Sequence, residues 1–138
     1  MYKLCAQTSF HPGVFVAFEK DAAKKEEKFL TIVCNQGVHP IPFEQLKGEV
    51  MIATEGSLPT DEEGLGACIK ATIKKVAQKI HELKPQKVYL VPSGLPVLLS
   101  QLQVLCMQMI SKPAVILQWD RDNNKYFEIN IVPRDVLT

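Results

Sequence analysis

The feature that most limits the fold is a change of hydrophobic period, repeated along residues 50–119. Val50-Met51-Ile52-Ala53-Thr54 is a short apolar run of the kind buried on both faces of a sheet. Behind it, Leu65, Ile69, Ile73, Val76, Ile80 and Leu83 recur at steps of three and four, which is one stripe of a helix. Thr60 and Glu63 form a T-x-x-E capping box ahead of that stripe, with Asp61 and Glu62 in the first turn, and Pro85 closes it. Lys87-Val88-Tyr89-Leu90-Val91 is apolar again, residues 97–110 form a second helix, and residues 114–119 return to a strand. Strand, helix, strand, helix, strand demands two crossovers, hence parallel strands with right-handed connections.

The flanks add antiparallel pieces. Residues 2–8 and 14–19 read as strands split by His11-Pro12-Gly13, and residues 21–28 are a charged run. Residues 29–34 are another strand. Two prolines keep His39-Pro40-Ile41-Pro42 extended. Residues 120–124 form a polar turn, and residues 125–132 come back as an antiparallel edge. The expectation is a single domain over residues 1–138: an α/β fold with a small Rossmann-like central sheet and antiparallel additions.

The 138 residues are nearly half apolar and can bury a real core without disulfides. The four cysteines, Cys5, Cys34, Cys68 and Cys106, lie far apart in apolar runs. They read as buried free thiols of a reducing, cytoplasmic protein. The N-terminus does not read as a signal peptide. A net charge of +1 argues against duplex nucleic acid as a partner.

From Ser93 to Ser111 there is no charged residue. Leu98, Leu99, Leu102, Val104, Leu105, Met107, Met109 and Ile110 spread around the whole second helix, so it is covered on more than one side. Two readings stay open: a central helix under the N-terminal hairpin, or an outer face that meets a second copy of the chain. The glutamines, serines and flanking strands argue against a membrane span.

Ligands of open parallel sheets bind beyond the carboxyl ends of the strands. Three turns fall there: Gln7-Thr8-Ser9-Phe10-His11, Thr54-Glu55-Gly56-Ser57-Leu58 and Pro92-Ser93-Gly94-Leu95. The third runs into a helix start, where backbone amides favour a phosphate and Gly94 permits close approach. Ser93 either caps that helix or bonds a ligand. Trp119 and Tyr126 either stack a base or pack at the sheet edge, and Arg121 and Lys125 at the same turn are either solvated charges or phosphate contacts. His11, His39 and His81 form no metal motif, and no Walker loop, G-x-G-x-x-G or G-x-S-x-G is present, so neither metal nor cofactor is expected.

The strand at 87–91, the turn Pro92-Ser93-Gly94-Leu95-Pro96, the uncharged helix, the strand at 114–119 and Lys125-Tyr126-Phe127-Glu128 together resemble the SAVED and CARF group of cyclic-oligonucleotide sensor domains, over residues 48–133. The resemblance implies a type III CRISPR accessory protein that binds a cyclic oligoadenylate, the tetra-adenylate foremost, across a homodimer or higher oligomer. Ligand contacts would fall on Thr8, Ser9, Phe10, His11, Thr54, Glu55, Gly56, Ser57, Pro92, Ser93, Gly94 and Leu95. The three turns lack arginine and lysine, which favours sequestration of the messenger over cleavage as a ring nuclease. Catalysis would fall to His11 or to a basic residue of a partner subunit. Two other readings stand beside it: an adaptor that docks a partner through the apolar helix, and a small nucleotide- or sugar-phosphate enzyme of generic Rossmann type.

Overall fold

The computed structural model describes residues 27–37 and 39–137. Five strands form one sheet in the order β2-β1-β3-β4-β5. They are β1 (Phe29–Val33), β2 (Glu49–Ile52), β3 (Lys87–Val91), β4 (Val115–Asp120) and β5 (Lys125–Ile129). The first four run parallel, and β5 closes the edge antiparallel to β4. The helices are α1 (Glu62–Leu83), α2 (Pro96–Ile110) and the short α3 (Pro133–Leu137). This is the Rossmann-like α/β layer expected from the changes of period. The two strands expected within residues 1–19 lie outside the described residues.

The chain leaves β1 toward β2, then crosses back over β1 to β3 and on to β4. Right-handed connections that travel in opposite directions pass over opposite faces of a sheet. The packing agrees. Leu30, Ile32, Val88 and Leu90 point to the face covered by α1 and α2, where they meet Val76, Ile80, Leu98, Leu102 and Cys106. The alternate residues Val33, Tyr89, Val91, Val115 and Leu117 point to the other face. There the cover is the irregular strap between β1 and β2, through Ile41 and Leu46.

Three details differ from the sequence reading. The N-cap of α1 is Asp61, not Thr60: its carboxylate accepts the Gly64 N–H at 2.8 Å. Either residue offers an oxygen, and the charged one gains more from the positive end of the helix dipole. Second, β2 is an edge strand and only half-buried rather than covered on both faces. The strands buried along nearly their whole length are β1 and β3, and β1, read among the antiparallel flanks, runs parallel inside the sheet between β2 and β3. Third, β5 ends at Ile129. By its register, Ile131 and Val132 would fall opposite Ala114 and Pro113, before β4 begins, so the ladder stops and α3 follows.

Candidate functional site

At the carboxyl ends of β1 and β3, where the connections diverge, the structure opens a cleft of about 1130 Å³. This switch point is where the topology of open α/β sheets leaves a crevice. Three segments wall it: the strap (Gly37, His39, Pro40, Ile41, Pro42), the turn after β3 (Val91, Pro92, Ser93, Gly94) and the β4–β5 corner. From the corner come Leu117, Gln118, Trp119, Arg121, Asn124 and Tyr126. Pro40 and Pro42 keep this part of the strap extended and stiff.

The floor is built around Asn35, one of the few buried polar side chains, at 7% exposure. Its Nδ2 donates to Thr54 Oγ1 and to Gly56 O, both at 3.0 Å. Thr54 Oγ1 in turn donates to Cys34 O at 2.6 Å. Because Gly56 O only accepts, the amide nitrogen must point there. The carbonyl Oδ1 therefore points the other way. It accepts no hydrogen bond among the described residues, and a Cβ added to Gly37 in the cleft wall would lie 3.4 Å from it.

Ser93 is neither a helix cap nor a free donor. Its hydroxyl donates to Asn35 O at 2.6 Å and accepts the Asn35 N–H at 2.9 Å. It thereby clips the end of β3 to the end of β1. Gly94, at φ +84°, is required by the same contact: a Cβ there would come within 2.6 Å of Asn35 Cβ. The N-cap of α2 is Leu95, with no side-chain cap. Pro96 brings no N–H and Leu98 N–H donates to Leu95 O, so two of the usual orphan donors of a helix start are gone.

The β4–β5 corner is held by Asp120. Its carboxylate accepts the Asn123 side-chain amide at 2.6 Å and the backbone N–H groups of Asp122 and Asn123. The Asn123 amide, foremost, holds that carboxyl below the usual aspartate range. Asp120 is thus committed to its own turn. Arg121, its neighbour in sequence, makes no ion pair or hydrogen bond among the described residues and faces the cleft. Trp119 and Tyr126 pack edge to face beside it, with ring centroids 5.0 Å apart. Tyr126 is half-sunk, and burial raises the pKa of its hydroxyl.

The far end of the strap is latched to the same corner. Gln45 Nε2 donates to Asn124 O at 3.2 Å, and Gln45 Oε1 accepts the Tyr126 N–H at 3.0 Å. Lys47 Nζ meets Glu128 at 2.6 Å, and that bond raises the lysine pKa.

Of the residues expected to bind a ligand, Pro92, Ser93 and Gly94 line the cleft. Thr54 and Gly56 stand behind its floor, as partners of Asn35. Glu55 pairs with Gln36 in an isolated bridge and lines, with Thr54, a shallow depression on the α1 side. Ser57 is exposed and Leu95 caps α2, and neither lines the cleft. Thr8, Ser9, Phe10 and His11, the last also the candidate catalyst, lie outside the described residues. Trp119, Tyr126 and Arg121, named as a stacking pair and a phosphate contact, are brought together. Sequence reasoning missed Asn35 and the strap residues, since an asparagine after a strand reads as an ordinary turn residue.

Among the described residues no cysteine lines the cleft. Burial pushes the Cys34 thiol up to about 12 and the Cys106 thiol to about 11. Among the described residues no group of His, Cys, Asp or Glu is placed to hold a metal ion, and no helix is long and apolar enough to cross a membrane.

Comparison with known protein families gives a match to the phage Pam3 gp32-like proteins over residues 48–133. A search among curated proteins and solved structures gives no match. The family match corrects the resemblance to SAVED and CARF domains. The strand-turn-helix pattern that carried it belongs to a phage protein family, and with it go the type III CRISPR role, the cyclic oligoadenylate and the ring-nuclease alternative. The physical reason is that this pattern follows from the parallel α/β layer itself, which many unrelated sites share.

Proposed function

The chain belongs to the phage Pam3 gp32-like protein family, and from the cleft it carries we propose that it binds a small organic anion bearing a flat ring. One observation supports this reading above the others. Arg121, with no partner among the described residues, shares a concave and largely apolar cleft with the Trp119–Tyr126 pair. A guanidinium without a carboxylate presents a planar fork of donors to an anion. The aromatic pair offers a face for the ring, and Val91 and Leu117 offer apolar floor. Asn35 Oδ1 adds one fixed acceptor for a donor on the ligand.

The reading is of binding. Among the lining side chains the Ser93 proton is committed to Asn35. An acid-base pair is not assembled among the described residues. The buried free thiols Cys34 and Cys106 support a reducing, cytoplasmic setting.

Trp119 is the only tryptophan in the chain, so its fluorescence reports on the cleft directly. Titration with a panel of aryl carboxylates, aryl phosphates and aryl sulfonates should give a saturable change for at least one class. Arg121→Gln should weaken that ligand about tenfold or more, the size of one lost charge-assisted bond. If no member binds below roughly 1 mM, or if Arg121→Gln leaves the affinity unchanged, the reading falls.

A further inference from the structure

The floor of the cleft holds one polar atom that its own packing does not use. Asn35 is 7% exposed, and both protons of its side-chain amide are spent, on Thr54 Oγ1 and on Gly56 O. The carbonyl Oδ1 keeps its lone pairs without a partner among the described residues. Buried acceptors are nearly always paired, so an oxygen left open at this depth is completed from outside, by water or by a ligand.

Two glycines set the access to it. Gly94 presses on the aliphatic part of Asn35, where an added Cβ would come within 2.6 Å of the asparagine Cβ. Gly37 stands beside Oδ1. A Cβ added there meets that oxygen at 3.4 Å and, its chain neighbours aside, nothing else within 4 Å among the described residues. The space next to Oδ1 is therefore open, on the side of the cleft that Gly37 lines.

The donors around this oxygen are committed. Thr54 Oγ1 donates to Cys34 O, Ser93 Oγ to Asn35 O, the Gln36 N–H to Thr54 O and the Ser93 N–H to Val91 O. An anionic group brought to the floor would face a carbonyl oxygen, with no side-chain donor there to answer it. The cation stands elsewhere. In the register of the sheet Asn35, Ser93 and Trp119 fall in one row across the ends of β1, β3 and β4. Floor and aromatic pair are thus two strand spacings apart, about 10 Å, and Arg121 follows in the turn beyond Trp119.

We propose that Asn35 makes the cleft selective for ring-bearing anions with an N–H or O–H donor at the end away from the acid, that is, amino- or hydroxy-substituted aromatic acids. This rests on the reading of the cleft as an anion site and adds what the far end of the ligand must be. The acid meets Arg121, the ring lies by Trp119 and Tyr126, and the donor reaches Oδ1. A ring that ends in a methyl group covers Oδ1 and leaves it unpaired, so it forfeits more than one marginal bond. The acceptor is also fixed in advance, because the Thr54 and Gly56 bonds hold the amide in place.

Calorimetric titration of the full chain with matched pairs tests this. The pairs are para-amino and para-methyl benzoate, phenyl phosphate and benzenesulfonate, with the same pairs on naphthalene to reach farther across the cleft. The two substituents are close in size, and burial alone favours the methyl member. The amino member of the pair that binds should nevertheless be about tenfold tighter. Gly37 is not among the glycines of positive φ, so alanine fits its backbone, and its methyl would lie against Oδ1. Gly37→Ala should bring the two members to within about twofold of each other, since neither then meets an open acceptor. Arg121→Gln should weaken both members alike. If the members bind equally, if the methyl member is tighter, or if the preference persists in Gly37→Ala, the selectivity is overturned while the anion site stands. If no member binds, or if Arg121→Gln changes neither, the anion site itself falls, and the selectivity that rests on it falls too.

Discussion

The two faces of the sheet are closed in different ways. On one face α1 and α2 lay long apolar stripes against Leu30, Ile32, Val88 and Leu90, and the core there is fully buried. On the other, a strap with two prolines crosses Tyr89, Val91 and Leu117 and touches them through Ile41 and Leu46. Helices satisfy their own backbone and can pack side by side. An irregular strap cannot, so it is held by particular bonds: Gln45 to the β4–β5 corner, Lys47 to Glu128, and Thr31 Oγ1 to Lys47 O at 2.6 Å. The helix face therefore carries stability, while the strap face leaves room for a cleft between its bonds. The general lesson is that a site opens where the cover is tied at points rather than packed along a line.

The contrast is broken most directly at Leu102, which is fully buried between α2 and the sheet. Leu102→Ala should lower global stability by about 3 kcal/mol, the range for a core leucine that leaves a cavity. Urea unfolding monitored by circular dichroism measures this. A loss below about 1 kcal/mol would mean that the helix face is not the stable one.

A second test uses the two thiols of that same face. Cys34 and Cys106 are raised by burial from an ordinary 9.0 to about 12 and about 11. Below pH 9 both are neutral in folded and unfolded chains, and their contribution is intact. Above it the unfolded thiols ionise first, so stability falls as pH rises toward those folded values. The slope is about 1.4 kcal/mol per pH unit for each thiol. Urea midpoints between pH 9 and 10.5 should fall accordingly, and Cys34→Ala should flatten the fall by roughly one thiol's share. An unchanged slope would place Cys34 in contact with water.

How much of this could be read from the sequence follows the same division. α1 announces itself by its period and the strands by their short apolar runs, because regular elements repeat their burial, whereas α2 is apolar all round and shows as an uncharged stretch between two strands. Tyr126, Trp119 and Arg121 could be singled out because aromatic and cationic residues around a turn are uncommon. The strap could not, since it has no period. Asn35 was invisible as a centre because its partner Ser93 lies 58 residues away, and a single sequence holds no trace of such a pairing. Ser93 and Gly94 drew notice for a helix start, yet the structure sets both against Asn35. Local chemistry was legible there, and the long-range contact that uses it was not.

The smallest expected effect separates the faces most cleanly. Gln45 carries two of the hydrogen bonds between the strap and the β4–β5 pair, beside that of Lys47 to Glu128, while its neighbours Phe43 and Glu44 are exposed. Gln45→Ala should cost about 1 kcal/mol, because these bonds sit near solvent and water replaces part of each. The loss should be local. Hydrogen exchange of the Tyr126 amide, whose acceptor is Gln45 Oε1, should speed up about fivefold. Amides of α1 and of the fully buried β1 should keep their rates, because no bond of Gln45 reaches the helix face. If the α1 amides accelerate as much as Tyr126, strap and helices open as one unit, and the contrast between the two covers does not extend to their dynamics. If Tyr126 alone responds, the cleft lies between a rigid layer and a strap that releases independently of it, which gives a ligand a route to the Asn35 floor without unfolding the core.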